Sequence, residues 1–304
     1  MTLKIRTVTG DIGCDQLGIT LPHEHLITFP PMETRTDPDY RLDSIENAIE
    51  EVKMFKAAGG NALAELTGGG YGRDLFALKR ISLETGVNII GTAGYIMENL
   101  FPPEVYNLTS FQLTELLVSE IVEGVDGVKA GLLKCGTSHD RMTPAEEKVI
   151  RAVSMAHHET GVPISTHTTD GTMAFAQIEI LKQEKVDLDR VVIGHLDRRS
   201  LNYGYILMIA RTGVFVQLDN IGKTKYYPDG LRAEVIKQLI EAGHGKQILL
   251  SDDNGRKSYF RSYGGGPGLD YILTGFVPIL KQSGIEQEDI DRLLVGNPKT
   301  YLAF

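Results

Sequence analysis

The stretch TLPHEHLI, residues 20–27, places two histidines inside a short apolar run. His23 and His25 are two residues apart, so on a β-strand both side chains point to the same side. Similar runs, each closed by a polar group that could serve a metal site, follow along the chain. They are GLLKCG with Lys134, PISTHT with His167, VVIGHL with His195 and ILLSDD with Asp253. Because a buried polar group is costly unless something binds it, runs that end this way predict a metal centre at one end of a β-barrel.

Short apolar, β-branched runs alternate with longer amphipathic segments along the whole chain. The runs cover residues 20–27, 62–67, 87–93, 127–135, 162–168, 191–196, 214–218 and 248–252. Apolar spacing and capping residues mark 42–58, 144–159 and 231–242 as helices. This alternation predicts an α/β fold, a (β/α)8 TIM barrel formed by a single domain over residues 1–304, with its site at the C-terminal face of the strands. An open doubly wound sheet is the alternative, but HEHLITFPP is not the Gly-rich phosphate turn that it would carry.

The composition argues against several classes of protein. The 304 residues carry a formal net charge of −9, whereas sequence-independent nucleic-acid binding depends on a basic surface. No apolar stretch approaches the roughly 20 residues that span a bilayer, and the N-terminal residues lack the apolar core of a signal peptide. Two cysteines, Cys14 and Cys135, imply no disulfide framework. We therefore expect a cytoplasmic protein without membrane or nucleic-acid partners.

Strand alternation predicts which side chains enter the barrel. In the last run, the face that includes Asp252 is apolar and should meet the outer helices. That reasoning places Asp253, and not Asp252, inside the barrel. In the sixth run, the same rule places His195 inward together with Val191 and Ile193.

Lys134 is an unusual candidate ligand, because an ammonium cannot bind a metal and is costly to bury. Burial lowers the pKa of a lysine and so exposes a neutral amine. That amine can react with carbon dioxide to give a carbamate, which can bridge two metals like a carboxylate. Lys129 is the competing lysine, but it begins the predicted strand and would lie at the opposite end of the barrel. Nitrogen and oxygen ligands of this kind suit zinc, and also manganese, cobalt or iron.

The motifs TVTGDIG, LPHEH, AGLLKCG, STHT, IGHLD and LLSDD together resemble the phosphotriesterase family within the amidohydrolase superfamily. The resemblance covers nearly the whole chain, and the HEH opening with a lysine on the fourth strand narrows it to this family. It implies two divalent metal ions and a homodimer. The implied ligands are His23, His25 and Asp253 for the more buried metal, His167 and His195 for the more exposed one, and Lys134, N6-carboxylated, bridging them together with a hydroxide.

In the mechanism that the resemblance implies, the two cations generate hydroxide at neutral pH, and the exposed metal polarises a carbonyl or phosphoryl oxygen. The hydroxide attacks, and Asp253 takes or relays the proton. Tyr95, in GTAGY, matches the position where lactonase members of the family carry a tyrosine near the metals. Its alternative role is that of a rim aromatic packing on a loop.

Two loops on the same face carry cations. They read NIGKTKYYPDG, with Lys223 and Lys225, and NGRKSYFRSYGGGPG, with Arg256 and Tyr259. Barrel enzymes frequently hold phosphate in these loops, and cations in an acidic protein would attract an anionic substrate. The alternative is that these are solvated loop charges. In the branch of the family that opens phosphorylated sugar lactones, a lysine and an Arg-x-x-Tyr contact the phosphate, and Lys225 or Lys223, Arg256 and Tyr259 match that pattern.

The sequence therefore predicts a metal-dependent lactonase for a small phosphorylated lactone of the pentono-1,4-lactone 5-phosphate type. The alternatives are a phosphotriesterase, an acyl-homoserine-type lactonase, a barrel that binds metal or sugar phosphate without catalysis, and a structural zinc site. The full ligand set argues against the last two, because a structural zinc site is closed by four ligands. The polar loop RKSYFRSYGGG argues against long-chain lactones. Sugar stereochemistry, native metal and pathway stay open.

Overall fold

The computed structural model describes residues 3–31, 33, 35–199 and 201–304. An antiparallel hairpin, β1 (Lys4–Thr7) and β2 (Gly10–Gly13), precedes a sheet of eight parallel strands in this described part of the chain. The strands are β3 (Thr20–Glu24), β4 (Ala62–Glu65), β5 (Asn88–Gly94), β6 (Leu132–Thr137), β7 (Ile164–Thr168), β8 (Val191–Ile193), β9 (Phe215–Leu218) and β10 (Ile248–Leu250). Each pairs with the next in chain order, which confirms the eight predicted runs and the (β/α)8 barrel.

The barrel is closed between β10 and β3 by hydrogen bonds that lie just beyond the regular strands. The backbone N–H of Asp253 donates to the carbonyl of His23 over 3.2 Å, and the N–H of His23 donates to Ser251 Oγ over 2.9 Å. The closure therefore brings the first and last predicted metal ligands against one another.

Helices follow the strands and cover the outside of the barrel. They are α1 (Ile45–Ala57), α2 (Leu75–Thr85), α3 (Pro103–Asn107), α4 (Ser110–Val122), α5 (Pro144–Thr160), α6 (Ala174–Gln183), α7 (Tyr203–Ala210), α8 (Asp229–Glu241), α9 (Val277–Gln282), α10 (Gln287–Asp291) and α11 (Asn297–Leu302). The three predicted helices are confirmed as α1, α5 and α8. Thr143 caps α5 as predicted, and Gly161 ends it in the left-handed conformation with φ 77°. Among the residues that the structure describes, no helix is both long and apolar enough to cross a membrane.

Apolar side chains fill the barrel below the site. Ile90, Leu132, Val192 and Leu249 belong to one buried cluster with Tyr301 of the last helix. This cluster forms a packed floor beneath the polar residues, which lie toward the C-terminal face of the strands.

The interior position of Val192 corrects one prediction. Val191 and Ile193 pack in the outer layer with helix residues such as Ile209, and not inside with His195. His195 nevertheless points inward, because its φ of 59° breaks the alternation of the strand.

Candidate active site

The six predicted metal ligands meet in one open cavity of about 660 Å³ at the C-terminal face of the barrel. All six line it: His23, His25, Lys134, His167, His195 and Asp253. The structure thus brings together residues that are up to 230 positions apart in sequence, as the barrel hypothesis requires.

A first group of ligands comes from the two ends of the sheet. Asp253 Oδ1 lies 3.2 Å from His25 Nε2 and 3.7 Å from His23 Nε2. Burial lowers the pKa of His23 to about 4, so its imidazole is neutral, as a metal ligand must be. Burial alone would raise the pKa of Asp253, but the Lys223 ammonium and the hydrogen bond with His25 hold it well below its usual range. The group therefore offers two imidazole nitrogens and one anionic oxygen.

The backbone departs from regular strand geometry where it presents these side chains. A register shift lies between Leu21 and Glu24 in β3, and Asp253 has a φ of 47°. Glu24 points out of the cavity, and its carboxylate accepts hydrogen bonds from the backbone N–H groups of Asp252 and Asn254. Asp253, and not Asp252, therefore enters the cavity, as predicted. Non-glycine residues at positive φ are strained, and such strain concentrates at functional sites.

A second pair of histidines comes from β7 and the end of β8. His167 Nδ1 lies 2.8 Å from His195 Nε2. The other ring nitrogen of His167 contacts Thr169 Oγ1 over 3.1 Å. At this distance the two rings share a hydrogen bond, and the same two nitrogens can instead serve as ligands for one cation.

Lys134 fits a carboxylated ligand better than it fits an ammonium. Its side chain is 1% exposed, and its Nζ has no hydrogen-bond partner among the described residues. Burial lowers the pKa of its amine to about 8, which favours the neutral form that reacts with carbon dioxide. A carbamate would add two anionic oxygens beside the histidines. Lys129 is exposed and precedes β6, at the opposite end of the barrel.

Sequence reasoning missed the residues that hold the outer nitrogens of the histidines. His25 Nδ1 lies 2.8 Å from Thr67 Oγ1, which in turn donates to Glu65 over 2.6 Å. The Nδ1 atoms of His23 and His195 both face the buried carboxylate of Asp219. The sequence did carry a signal for Asp219, because it closes the seventh apolar run as Asp253 follows the eighth.

Three of the four predicted phosphate residues, Lys223, Arg256 and Tyr259, line the cavity, and the four have different partners. Lys225 is exposed, and its Nζ lies 2.5 Å from Tyr259 Oη. Arg256 stacks on the Tyr40 ring, 3.8 Å from its centroid. Lys223 is buried instead, and its ammonium donates to the backbone carbonyl of Asp253 over 2.6 Å. Lys223 thus lines the cavity but is bound to Asp253, whereas Lys225 lies outside that lining and contacts Tyr259, which belongs to it.

Further side chains complete the cavity. Arg35 and Arg198, which sequence reasoning did not single out, add to the cationic side. Ile96, Met97 and Leu100 form an apolar side. The cavity can therefore hold a molecule with one anionic end and one less polar part beside the metal ligands.

The structure does not bring Tyr95 to this cavity. Its ring is buried against Phe101, with the centroids 6.0 Å apart, while its neighbours Ile96 and Met97 line the cavity. The alternative role, an aromatic that packs on a loop, describes its position better than a catalytic one.

The fold and the ligand set define a barrel hydrolase with a candidate binuclear metal centre. The phosphotriesterase family model matches residues 3–302, and the chain belongs to the phosphotriesterase family. This is a family of binuclear metal-dependent hydrolases, and the chain is a hydrolase of that family.

Solved structures agree with this assignment. A lactonase from Listeria monocytogenes superposes with a TM-score of 0.94 at 40% identity, covering 98% of both chains. The phosphotriesterase homology protein of Escherichia coli, solved with phosphate in its active site, gives a TM-score of 0.90 at 37% identity, over 95% of this chain and 99% of that one.

Two further relatives carry names for different substrates. The phospho-furanose lactonase of Mycoplasmopsis synoviae is 33% identical over 98% of this chain and 91% of the lactonase. The N-acetyltaurine hydrolase of Xenopus tropicalis is 33% identical over 99% of this chain and 98% of that enzyme. The first name denotes a phosphorylated lactone and the second an amide that bears a sulfonate, so both substrates pair a hydrolysable acyl group with an oxoanion.

Proposed function

We propose that this chain is a metal-dependent lactonase that opens the ring ester of a phosphorylated sugar lactone, of the pentono-1,4-lactone 5-phosphate type. One observation carries the proposal: Arg256 and Tyr259 line the same cavity as the metal ligands, and Lys225 contacts Tyr259 Oη, so that these three residues form a cationic rim beside the cavity. A phosphate at this rim would place the lactone carbonyl over the ligand set.

The donor set fits two divalent cations, with zinc the first choice and manganese, cobalt or iron as alternatives. His23, His25 and Asp253 would hold one and His167 and His195 the other, with carboxylated Lys134 between them. When bound, such cations lower the pKa of water and polarise the acyl oxygen.

Asp253 is the proposed proton carrier. Its carboxylate is held ionised beside Lys223 and so can accept the proton of the attacking water. The water oxygen bonds to the acyl carbon, the bond to the ring oxygen breaks, and the ring oxygen takes the proton that Asp253 held. The product is a hydroxy acid, which ionises to a carboxylate at neutral pH.

Arg256 is prepared for its proposed phosphate contact before any substrate binds. Its guanidinium lies between the Tyr40 ring and the carboxylates of Asp37 and Asp39, at 3.2 and 3.4 Å. Asp39 also accepts the N–H of Ser258 over 2.8 Å, which ties the two loops together. A guanidinium fixed in this way loses little conformational entropy on binding, so more of its interaction with phosphate appears as affinity.

A panel of sugar lactones, each with and without its 5-phosphate, tests the proposal. The enzyme is reconstituted with Zn²⁺ and bicarbonate, and acid release is followed at neutral pH. We expect the phosphorylated member of the best pair to have at least a tenfold higher kcat/KM. Equal or better turnover of the unphosphorylated lactones contradicts the phosphate assignment.

Hydrolysis of an anionic N-acyl amide is the second candidate. The similarity to N-acetyltaurine hydrolase favours it, and the cationic rim would serve a sulfonate as it serves a phosphate. Ile96, Met97 and Leu100 offer an apolar surface for a short acyl group. N-acetyltaurine in the same panel separates the two functions. An enzyme for anionic amides would release taurine and leave every lactone intact, whereas a lactonase would open the phosphorylated lactones and leave N-acetyltaurine intact.

A further inference from the structure

The carboxylate of Asp219 contacts histidines from both groups of metal ligands. Its Oδ2 lies 3.0 Å from His23 Nδ1, which also contacts Gln217 Oε1 over 3.0 Å, and its Oδ1 lies 2.9 Å from His195 Nδ1. Its Oδ2 also accepts the backbone N–H of His195 over 3.0 Å. The residue is fully buried at the end of β9.

The positions of the ring nitrogens make Asp219 an outer partner of the histidines and not a metal ligand itself. His23 Nε2 points toward Asp253 and His195 Nε2 toward His167, so the Nδ1 atoms face away from the ligand groups. Asp219 is also absent from the residues that line the cavity within the described chain. A carboxylate on Nδ1 fixes the tautomer and the ring orientation of a ligating histidine and increases its basicity.

Asp219 is itself held in place by hydrogen bonds to neighbouring buried residues. Its backbone N–H donates to Asp197 over 3.0 Å, and Asn220 Nδ2 donates to its Oδ1 over 2.9 Å. Asp197 is paired with the fully buried Arg232 over 2.6 Å. These hydrogen bonds therefore fix the Asp219 carboxylate, which contacts one histidine from each group of metal ligands.

We propose that Asp219 is a positioning residue that sets both metal positions at once, so that their affinities change together when it is altered. The proposal concerns the metal centre alone and holds for any acyl substrate. The outer partner of His25 provides the contrast, because the Thr67 hydroxyl bonds to a single histidine in the described part of the chain.

The experiment compares Asp219→Asn with Thr67→Val. Each protein is loaded with Zn²⁺ in the presence of bicarbonate and dialysed against graded concentrations of a chelator, and the remaining zinc per chain is measured by mass spectrometry. We expect Asp219→Asn to lose both equivalents at roughly 10–100-fold lower chelator concentration than wild type, the usual size of such outer-partner effects. We expect Thr67→Val to lose one equivalent early and to keep the other as wild type does.

Loss of only one equivalent in Asp219→Asn, or zinc retention equal to wild type, overturns the proposal. The thermal unfolding midpoint of the metal-free variant checks that the substitution has not simply unfolded the barrel. A second readout uses the imidazole N–H protons of the zinc-loaded enzyme by ¹⁵N-histidine NMR. We expect Asp219→Asn to shift two of these resonances and Thr67→Val one, and a single shifted resonance in Asp219→Asn also contradicts the proposal.

Discussion

The two lysines of the loop after β9 give opposite predictions when each is replaced by methionine. Lys225 is exposed and its only described polar contact is with Tyr259, whereas Lys223 is buried on Asp253. We expect Lys225→Met to lower kcat/KM for phosphorylated lactones alone. We expect Lys223→Met to lower it for phosphorylated and unphosphorylated lactones by the same factor.

The magnitudes follow from the environments of the two ammonium groups. A hydrogen bond to a charged group contributes about 1.5–3 kcal/mol net, and solvent screening at exposed Lys225 reduces this to roughly 1–2 kcal/mol. That corresponds to a loss of about 5–30-fold at 1.36 kcal/mol for each factor of ten. Truncating one partner of a buried charge pair costs about 2–5 kcal/mol, so the loss in Lys223→Met should be at least roughly 30-fold.

The assay is acid release from one lactone with and without its 5-phosphate, measured for wild type and three variants. Lys257→Met is the matched control, because it removes a loop charge whose partners, Asp43 at 2.9 Å and the Tyr263 ring, do not line the cavity, whereas the Lys225 partner Tyr259 does. Its kinetics should equal those of wild type. An equal loss on both substrates in Lys225→Met, or a phosphate-selective loss in Lys223→Met, would refute the reasoning.

Three more predictions concern the metal centre and the scaffold. Replacing Lys134 with alanine should lower the zinc content below two per chain after loading with bicarbonate, which elemental analysis measures, and an unchanged content would exclude the carbamate. Arg232→Met leaves two buried carboxylates, those of Asp197 and Asp229, without their partner. It should destabilise the protein by about 3–5 kcal/mol and lower Tm by roughly 5–8 °C in calorimetry, given about 2.1 cal/mol/K of unfolding entropy per residue. Burial lowers the pKa of His157, so its protonation in the unfolded state should reduce stability as pH falls below about 6.5, and His157→Gln should show a smaller loss of Tm between pH 7.5 and 5.5 than wild type.

The strands and the ligands could be predicted from sequence because their signals are local. An apolar run closed by a polar group reports a strand and its functional end within a few residues, as at His167 and at the end of β10. The side chain of His195 points into the barrel as predicted, but the strand alternation on which that prediction rested does not hold at this residue. Its positive φ, and the register shift in β3, leave no periodic pattern in the sequence.

Pairings between distant loops could not be predicted for a different reason. Arg256 looked like a free cation in its own loop, but its carboxylate partner Asp39 lies 217 residues earlier. Lys223 and Lys225 are two residues apart and chemically identical in sequence. Only the fold shows that Lys223 is buried against Asp253 and that Lys225 is exposed beside Tyr259.

Hydrogen bonds within the protein hold the strained backbone at two of the proposed metal ligands. His195 and Asp253 both have positive φ, a conformation that is costly for side-chain-bearing residues. The N–H of His195 is bound by Asp219, the N–H of Asp253 by the His23 carbonyl, and the carbonyl of Asp253 by Lys223. These hydrogen bonds hold the backbone at both ligands without using the side-chain atoms that would bind metal. Substitutions of Asp219 and Lys223 should therefore act on the centre through its backbone as well as through charge.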